Sequence, residues 1–245
     1  MFFTRIPVPK NIDHSQDMLQ KAVRYFSWVG LVVGGIGAAV FVILSHVFSP
    51  ALSLAFSMLA TILTTGAFHE DGFADCCDAF GGGWTKEKIL TIMKDSRLGT
   101  YGVVGLIGIL GCKFLLLLEL LGYQSALQAA LYMIAAHSTS RLLAVSVMQQ
   151  YAYVQDIDTS KSKPLADRKL TAAETFIAII GTIIPFFVLP FVFLLALLPA
   201  IIIRWYAGRY YKKWIGGYTG DCLGATQQVC ELGFYSGVIL IIKYF

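Results

Sequence analysis

Residues 25–48 read YFSWVGLVVGGIGAAVFVILSHVF, an apolar run that opens at Tyr25 and closes at Phe48, just before Pro50. A helix needs roughly 20 residues to cross about 30 Å of hydrocarbon, and this run is long enough. It is long for the apolar core of a cleaved signal peptide, and no small-residue cleavage site precedes Pro50. It therefore reads as a retained membrane span. With 57% hydrophobic and 14% charged residues and a mean hydropathy of +0.69, the chain is excluded from the soluble globular class.

Outward from this run, apolar length and helix breakers predict further spans at Ala51–Phe68, Tyr101–Leu121, Ala126–Met148, Thr171–Pro185, Pro190–Tyr206 and Cys222–Ile242. The expected fold is all-α, a polytopic membrane helix bundle of about seven spans. Six is the alternative, if Phe176–Ile203 forms one kinked helix around Pro185 and Pro190. No internal repeat, low-complexity tract or long linker divides residues 1–245, so a single transmembrane domain is expected.

The connections sort by charge. Arg5, Lys10, Lys21 and Arg24 precede the first span, and Lys86, Lys88, Lys94 and Arg97 follow the second. Lys161, Lys163, Arg168 and Lys169 follow the fourth, and Arg204, Arg209, Lys212 and Lys213 surround the end of the sixth. The turns between, near Ser49-Pro50, Gly122-Tyr123-Gln124 and residues 185–190, carry no Lys or Arg. The positive-inside rule then places every long polar connection in the cytoplasm of a multi-pass protein of the inner, or plasma, membrane. The net charge of +4 suits anionic lipid or an anionic substrate, and no nucleic acid is expected. Cys76 and Cys77 are adjacent while Cys112, Cys222 and Cys230 are scattered, which is not a metal-binding spacing.

Acid is concentrated in one polar stretch. Of the 15 Asp and Glu residues, Glu70, Asp71, Asp75, Asp78, Glu87 and Asp95 fall between Phe68 and Tyr101. On a helix, Asp71, Asp75 and Asp78 stand at i, i+4 and i+7 and share a face. Like charges so placed repel unless a cation holds them. Magnesium, with its hard oxygen ligands, is the expected cofactor, and Gly72 would let a phosphate approach the backbone. A solvated helix start, with Asp at its positive end, is the plain alternative.

Two more elements join this one. Lys94-Asp95-Ser96-Arg97, followed by Gly99 and Gly102, offers Lys94 and Arg97 to phosphate oxygens and Asp95 to the metal or to a proton. The glycine-rich Gly216–Gln227 stretch places Asp221 at the mouth of the last span, as a site residue or a helix cap. Gly81 to Gly83 reads as a hinge. Gln149–Leu170, with Asp156 and Asp158, reads as a solvated connector or a flap. His137, Ser138, Ser140 and Arg141 put polar groups inside the fourth span, where Arg141 either snorkels or lines a cavity. Lys113 is expected to face other helices, and Glu119 and His46 to lie at the interface.

Taken together and in this order, these motifs resemble the cobalamin synthase family, the adenosylcobinamide-GDP ribazoletransferases. The resemblance runs nearly end to end. It is carried by Phe3-Thr4-Arg5-Ile6-Pro7-Val8-Pro9, His69 with Asp71-Gly72 and Ala74-Asp75, Ile92-Met93-Lys94-Asp95-Ser96-Arg97-Leu98-Gly99, and Gly216-Gly217 with Thr219-Gly220-Asp221 and Leu223-Gly224-Ala225. It implies a magnesium-dependent membrane transferase that joins adenosylcobinamide-GDP to α-ribazole, or its 5′-phosphate, and releases GMP. On that reading Asp71, Asp75 and Asp78 hold metal, and Lys94, Arg97, Gly72 and Arg141 face substrate phosphates. Asp95, Asp221 and His69 serve metal support, base duty or orientation. Glu70 stands where the family more often has an apolar residue, and Cys76-Cys77-Asp78-Ala79-Phe80 varies the usual continuation. A homo-oligomer is compatible with this reading.

Two rivals are defined by what they require. A CDP-alcohol phosphatidyltransferase needs Asp-Gly, two residues, then Ala-Arg; here one residue separates Asp71-Gly72 from Ala74-Asp75 and no Arg follows the Ala. A transporter would line a path with Lys113, His137 and Arg141, yet the acidic groups gather at one face and no inverted repeat is apparent.

Overall fold

The computed structural model describes residues 3–7, 16–154 and 168–244. Asp156, Asp158, Lys161 and Lys163 of the long connector, and Val8 and Pro9 of the amino-terminal motif, lie outside the described residues. Among the described residues the chain is helical, with a single isolated bridge pairing Tyr153 and Tyr218.

A short α1 (Gln16–Ala22) leads through a 3-10 turn into α2 (Phe26–Leu44), which forms most of the apolar run Tyr25–Phe48. Glycines let α2 lie almost backbone to backbone on α7 (Ala126–Gln150). A side chain added at Gly30 would sit 2.4 Å from the His137 carbonyl oxygen, and one at Gly34 would sit 2.9 Å from the Ile134 Cα. Where lipid is as apolar as Leu, such close approach and interhelical hydrogen bonds supply the adhesion. Ser138 Oγ donates to the Ser27 and Gly181 carbonyls at 3.0 and 2.9 Å, and Ser27 Oγ donates to the Ala178 carbonyl at 2.6 Å. These bonds tie α2 and α7 to α8 (Ala172–Ile183).

α3 (Pro50–Thr65) returns beside α2, with Ser57 Oγ donating to the Gly37 carbonyl at 2.7 Å. α4 (Phe68–Gly82) and α5 (Lys86–Met93) follow, then the lipid-exposed α6 (Thr100–Leu121). After α8 the chain makes 3-10 turns at Ile184–Phe187 and Phe191–Ala196 before α9 (Leu197–Ile215) and α10 (Gly220–Tyr244). The break around Pro190 separates α8 from α9, so the single kinked helix over 176–203 is not formed. Of the helices apolar enough to span, α10 is the central one: 72% of its window is buried, against 22–39% for the others.

The expectation of seven spans is not met by length and composition. Among the described residues four helices qualify, Met18–Leu44, Thr100–Leu121, Phe191–Ile215 and Gly220–Tyr244, and a fifth is added if the bent pair α3–α4 is one span. Ala172–Phe187 is too short to qualify. The expected fourth span forms as α7, a 25-residue helix, but it is more polar than a lipid-facing helix. Its His137, Ser138, Thr139, Ser140 and Arg141 are all buried among neighbouring helices.

Two apolar clusters divide the bundle along its length. The larger includes Phe41, Leu54, Leu117, Tyr132, Phe186 and Phe234. The smaller, with Cys76, Ala79, Ile89, Tyr211, Ile215 and Cys222, binds α4, α5, α9 and the start of α10 into one platform. At the opposite end Lys243 pairs with Glu119, so Glu119 closes the far ends of α10 and α6.

A candidate carboxylate site at one end of the bundle

The site is placed by a corner. α3 ends at Gly66 with φ 71°, and Ala67 follows with φ 60°, two successive left-handed residues. They turn α4 by 89° relative to α3, so the acidic helix does not continue the line of α3. Gly66 has a second reason to lack a side chain, because a Cβ there would lie 2.3 Å from Arg5 Nε. The amino-terminal motif is docked at this corner, with the Arg5 N–H donating to the Thr64 carbonyl at 2.7 Å.

α4 carries Asp71, Asp75 and Asp78 on one face, and Gly72 fixes what lies beside them. A Cβ at Gly72 would meet the Asp221 Cα at 2.9 Å and the Asp221 carbonyl oxygen at 3.0 Å. Gly224 repeats the contact one turn later, against the His69 carbonyl oxygen at 3.1 Å. The expected use of Gly72, phosphate approach, is thereby corrected: the start of α10 fills that space. Thr219 Oγ1 accepts the Cys222 N–H at 3.3 Å and caps α10, which leaves Asp221 facing the carboxylates of α4.

Asp78 joins the first two motifs. Its carboxylate accepts the Gly99 N–H at 2.7 Å and the Gly102 N–H at 2.8 Å, satisfying two orphan donors at the start of α6. Side chains at Gly99 or Gly102 would fall 2.5 or 2.4 Å from its oxygens, which explains both glycines. Asp78→Asn, which keeps one acceptor oxygen, should cost about 1 kcal/mol of stability and leave turnover within about tenfold. Thermal unfolding and a rate assay check this, and loss of turnover at full stability would return Asp78 to the metal shell.

Asp95 and Arg97 are turned toward each other. Arg97 Nε donates to both Asp95 oxygens at 3.0 and 3.1 Å, and Nη2 donates to Oδ2 at 2.7 Å. Those bonds hold the Asp95 carboxyl down at about 2 and push the Arg97 guanidinium up. A carboxylate so held is a poor proton acceptor. The Arg97 side chain is 87% exposed, so it can swing to a ligand. Lys94 is exposed beside it.

Asp75 shows how tightly the acids are packed. Burial first, then Asp221, Asp71 and Asp78, push its carboxyl from the ordinary 3.8 up to about 7. Among the described residues no Lys or Arg forms an ion pair with Asp71, Asp75 or Asp221. Also among them, no three His, Cys, Asp or Glu side chains converge to hold a metal unaided. This donor set fits magnesium, which is usually bound by one or two carboxylates together with substrate phosphates and water.

Folded Asp75 keeps its proton to about pH 7 and the unfolded group only to about 3.8. Protons are therefore bound in excess by the folded state across that window, and stability falls as pH rises through it. The thermal midpoint in detergent should fall over this range without divalent cation, and magnesium should lessen the fall. A midpoint indifferent to both would count against the site.

Residues 1–239 match the family model described as cobalamin-5-phosphate synthase. The chain belongs to that family. Proteins named adenosylcobinamide-GDP ribazoletransferase are similar throughout. The one from Shewanella halifaxensis is 44% identical over 98% of this chain and 92% of its own length. That from Shewanella oneidensis is 46% identical, covering 98% and 91%. No solved structure matches the chain.

In this member of the cobalamin-5-phosphate synthase family, a buried polar network lies beneath the carboxylates. Glu231, in the middle of α10, pairs with Lys113 Nζ at 2.6 Å and lies 3.5 Å from His137 Nε2. It also accepts from Gln227 Nε2 at 2.7 Å and from the Tyr235 hydroxyl at 3.3 Å. Arg141 is 1% exposed and donates to the His137 carbonyl at 2.9 Å. Neither snorkelling nor phosphate contact describes Arg141, because its guanidinium is enclosed in this interior. Of the groups a transporter would use, Lys113 pairs with Glu231, His137 lies beside it, and Arg141 bonds to His137. Glu70 is not a solvent-facing acid: it is buried and accepts from Gln228 Nε2 at 2.9 Å, which anchors α4 to α10.

Sequence reasoning missed Glu231, Gln227 and Gln228. The available signal was an acid inside one apolar helix and a lysine inside another, a pairing that hydrocarbon favours. His69 is 3% exposed, with its ring between Phe68 and Phe26 at centroid distances of 5.4 and 5.7 Å. Two residues before Asp71, it falls on the side of α4 away from the carboxylates.

Proposed function

We propose that this chain joins adenosylcobinamide-GDP to α-ribazole, or its 5′-phosphate, giving adenosylcobalamin or its phosphate and GMP. The observation that carries the reading is the approach of the Asp71 and Asp75 helix to Asp221 across the Gly72 contact, with the segment after Arg97 bonded to the same helix through Asp78 and the Gly99 N–H. Asp71 and Asp75 would hold magnesium together with substrate oxygens, and the ion would supply positive charge to the diphosphate. A ribose hydroxyl attacks the phosphate attached to cobinamide, one P–O bond forms, and the P–O bond to GMP breaks. Arg97 and Lys94 stabilise charge on the phosphoryl oxygens. Asp221 takes the hydroxyl proton in preference to Asp95, whose oxygens hold Arg97 in place. His69 orients substrate from the opposite side of α4.

Purified protein with both substrates and magnesium should release GMP, and omission of any one should stop release. A phospholipid made from CDP-diacylglycerol would instead support the rival transferase.

The carboxylate end is proposed to face the cytoplasm of the inner membrane, because Lys86, Lys88, Lys94, Lys212 and Lys213 lie on the platform elements. Trp84, 79% exposed between α4 and α5, offers a probe. Trp84→Cys should react with an impermeant maleimide only after cells are opened. Reaction in intact spheroplasts, above that of the native cysteines, would invert the orientation.

A further inference from the structure

Beside the carboxylates, between α2, α4, α7 and α10, lies an apolar cavity enclosing about 520 Å³ of empty space, including the part open to solvent. Phe26, Phe68, Val145, Leu223 and Tyr218 line it, and a single imidazole, His69, stands among them. Small-molecule sites combine an apolar lining with few polar groups, and this cleft has that division. Among the described residues, both nitrogens of His69 are buried and have no hydrogen-bond partner, an arrangement that native interiors seldom leave unanswered.

Position narrows the occupant. His69 faces the cavity from the side of α4 opposite Asp71, and Gly220, which also lines the cavity, adjoins Asp221 on α10. A molecule seated here lies beside the start of α10, with its polar end able to turn toward Asp221. Adenosylcobinamide-GDP is too large and too polar to enter. α-Ribazole has the right division: a flat, methylated benzimidazole on a ribose. One ring nitrogen of that base carries the sugar and the other keeps a lone pair, which can accept the imidazole N–H.

We infer that this cavity is the base subsite for the incoming riboside, with His69 donating to the unsubstituted ring nitrogen and Val145 and Leu223 setting how bulky a base is accepted. The inference rests on the proposed transferase reading, and it goes further by assigning one substrate to one cavity.

The test uses the full chain in detergent, with α-ribazole binding followed by equilibrium dialysis and GMP release followed separately. Val145→Phe and Leu223→Phe should each weaken α-ribazole binding at least about tenfold and raise its KM in parallel. The KM for adenosylcobinamide-GDP should stay within about twofold. The riboside of unsubstituted benzimidazole, lacking two methyl groups, should be penalised less than α-ribazole. His69→Ala should weaken α-ribazole about tenfold, with His69→Asn recovering part. Val145→Ala, which enlarges the cavity without adding bulk, guards against misfolding and should shift preference toward larger bases. Equal effects on both substrates, or no effect of filling on α-ribazole in a protein with an unchanged thermal midpoint, would overturn the subsite and leave the cavity to a lipid chain. If the unaltered protein binds α-ribazole but never releases GMP, the transferase reading fails while the subsite stands.

Discussion

Asp75→Asn should lower GMP release by at least about a thousandfold while the protein stays folded, a change in activation free energy of about 4 kcal/mol. The size follows from the position of Asp75 among Asp71, Asp78 and Asp221, whose like charges with burial hold its carboxyl up at about 7. A half-buried carboxyl under the influence of like charges is unfavourable to folding, and the arrangement becomes useful only when a cation and substrate phosphates draw on it. An amide keeps the shape and removes the charge, so stability should be unchanged or rise slightly while turnover collapses. Magnesium should then no longer offset the pH dependence of the thermal midpoint. Turnover of Asp75→Asn within about tenfold of the unaltered protein would dismiss the proposed ion-binding role.

Glu231→Ala should be the most damaging change to stability. It leaves Lys113 without the carboxylate 2.6 Å away and removes the acceptor for Gln227 and Tyr235 inside the bundle. Removing one member of a buried pair costs about 3–5 kcal/mol, because the other charge is then uncompensated. In a chain of this size that corresponds to a fall of about 6–10 °C in thermal midpoint. The double variant Lys113→Met with Glu231→Leu should recover most of the loss, since two apolar side chains replace the pair. A midpoint for Glu231→Ala equal to that of the unaltered protein would show that the network carries no stability.

The two variants separate chemistry from support. Asp75 acts at the edge, where it is half-buried and reachable. Glu231 acts deep in α10, yet it shares a helix with Asp221 and with Gln228, which holds Glu70 on α4. Loss of Glu231 should therefore lower activity through the placement of α4. Conversely, Asp75→Asn should leave the interior network untouched.

The membrane class, the approximate helix positions and the acidic motif were legible in sequence because each depends on local composition. Hydrocarbon demands long apolar helices, and the 3.6-residue period puts Asp71, Asp75 and Asp78 on one face whatever surrounds them. The family was legible because its motifs occur together and in order. What sequence could not decide was which partners fill the space beside each small residue. Gly72 makes room for the Asp221 backbone, Gly99 and Gly102 make room for the Asp78 carboxylate, and Gly30 makes room for α7. Arg141 and Glu70 read as candidates for ligand or solvent, and the fold enclosed both. Seven apolar stretches did not become seven qualifying spans, because α7 hides its polar residues against neighbouring helices and α8 ends short at Ile183. Sequence by itself settled what each helix is made of; only packing between helices far apart in the chain settled which charges meet, since an interaction between α4 and α10 has no periodicity to reveal it.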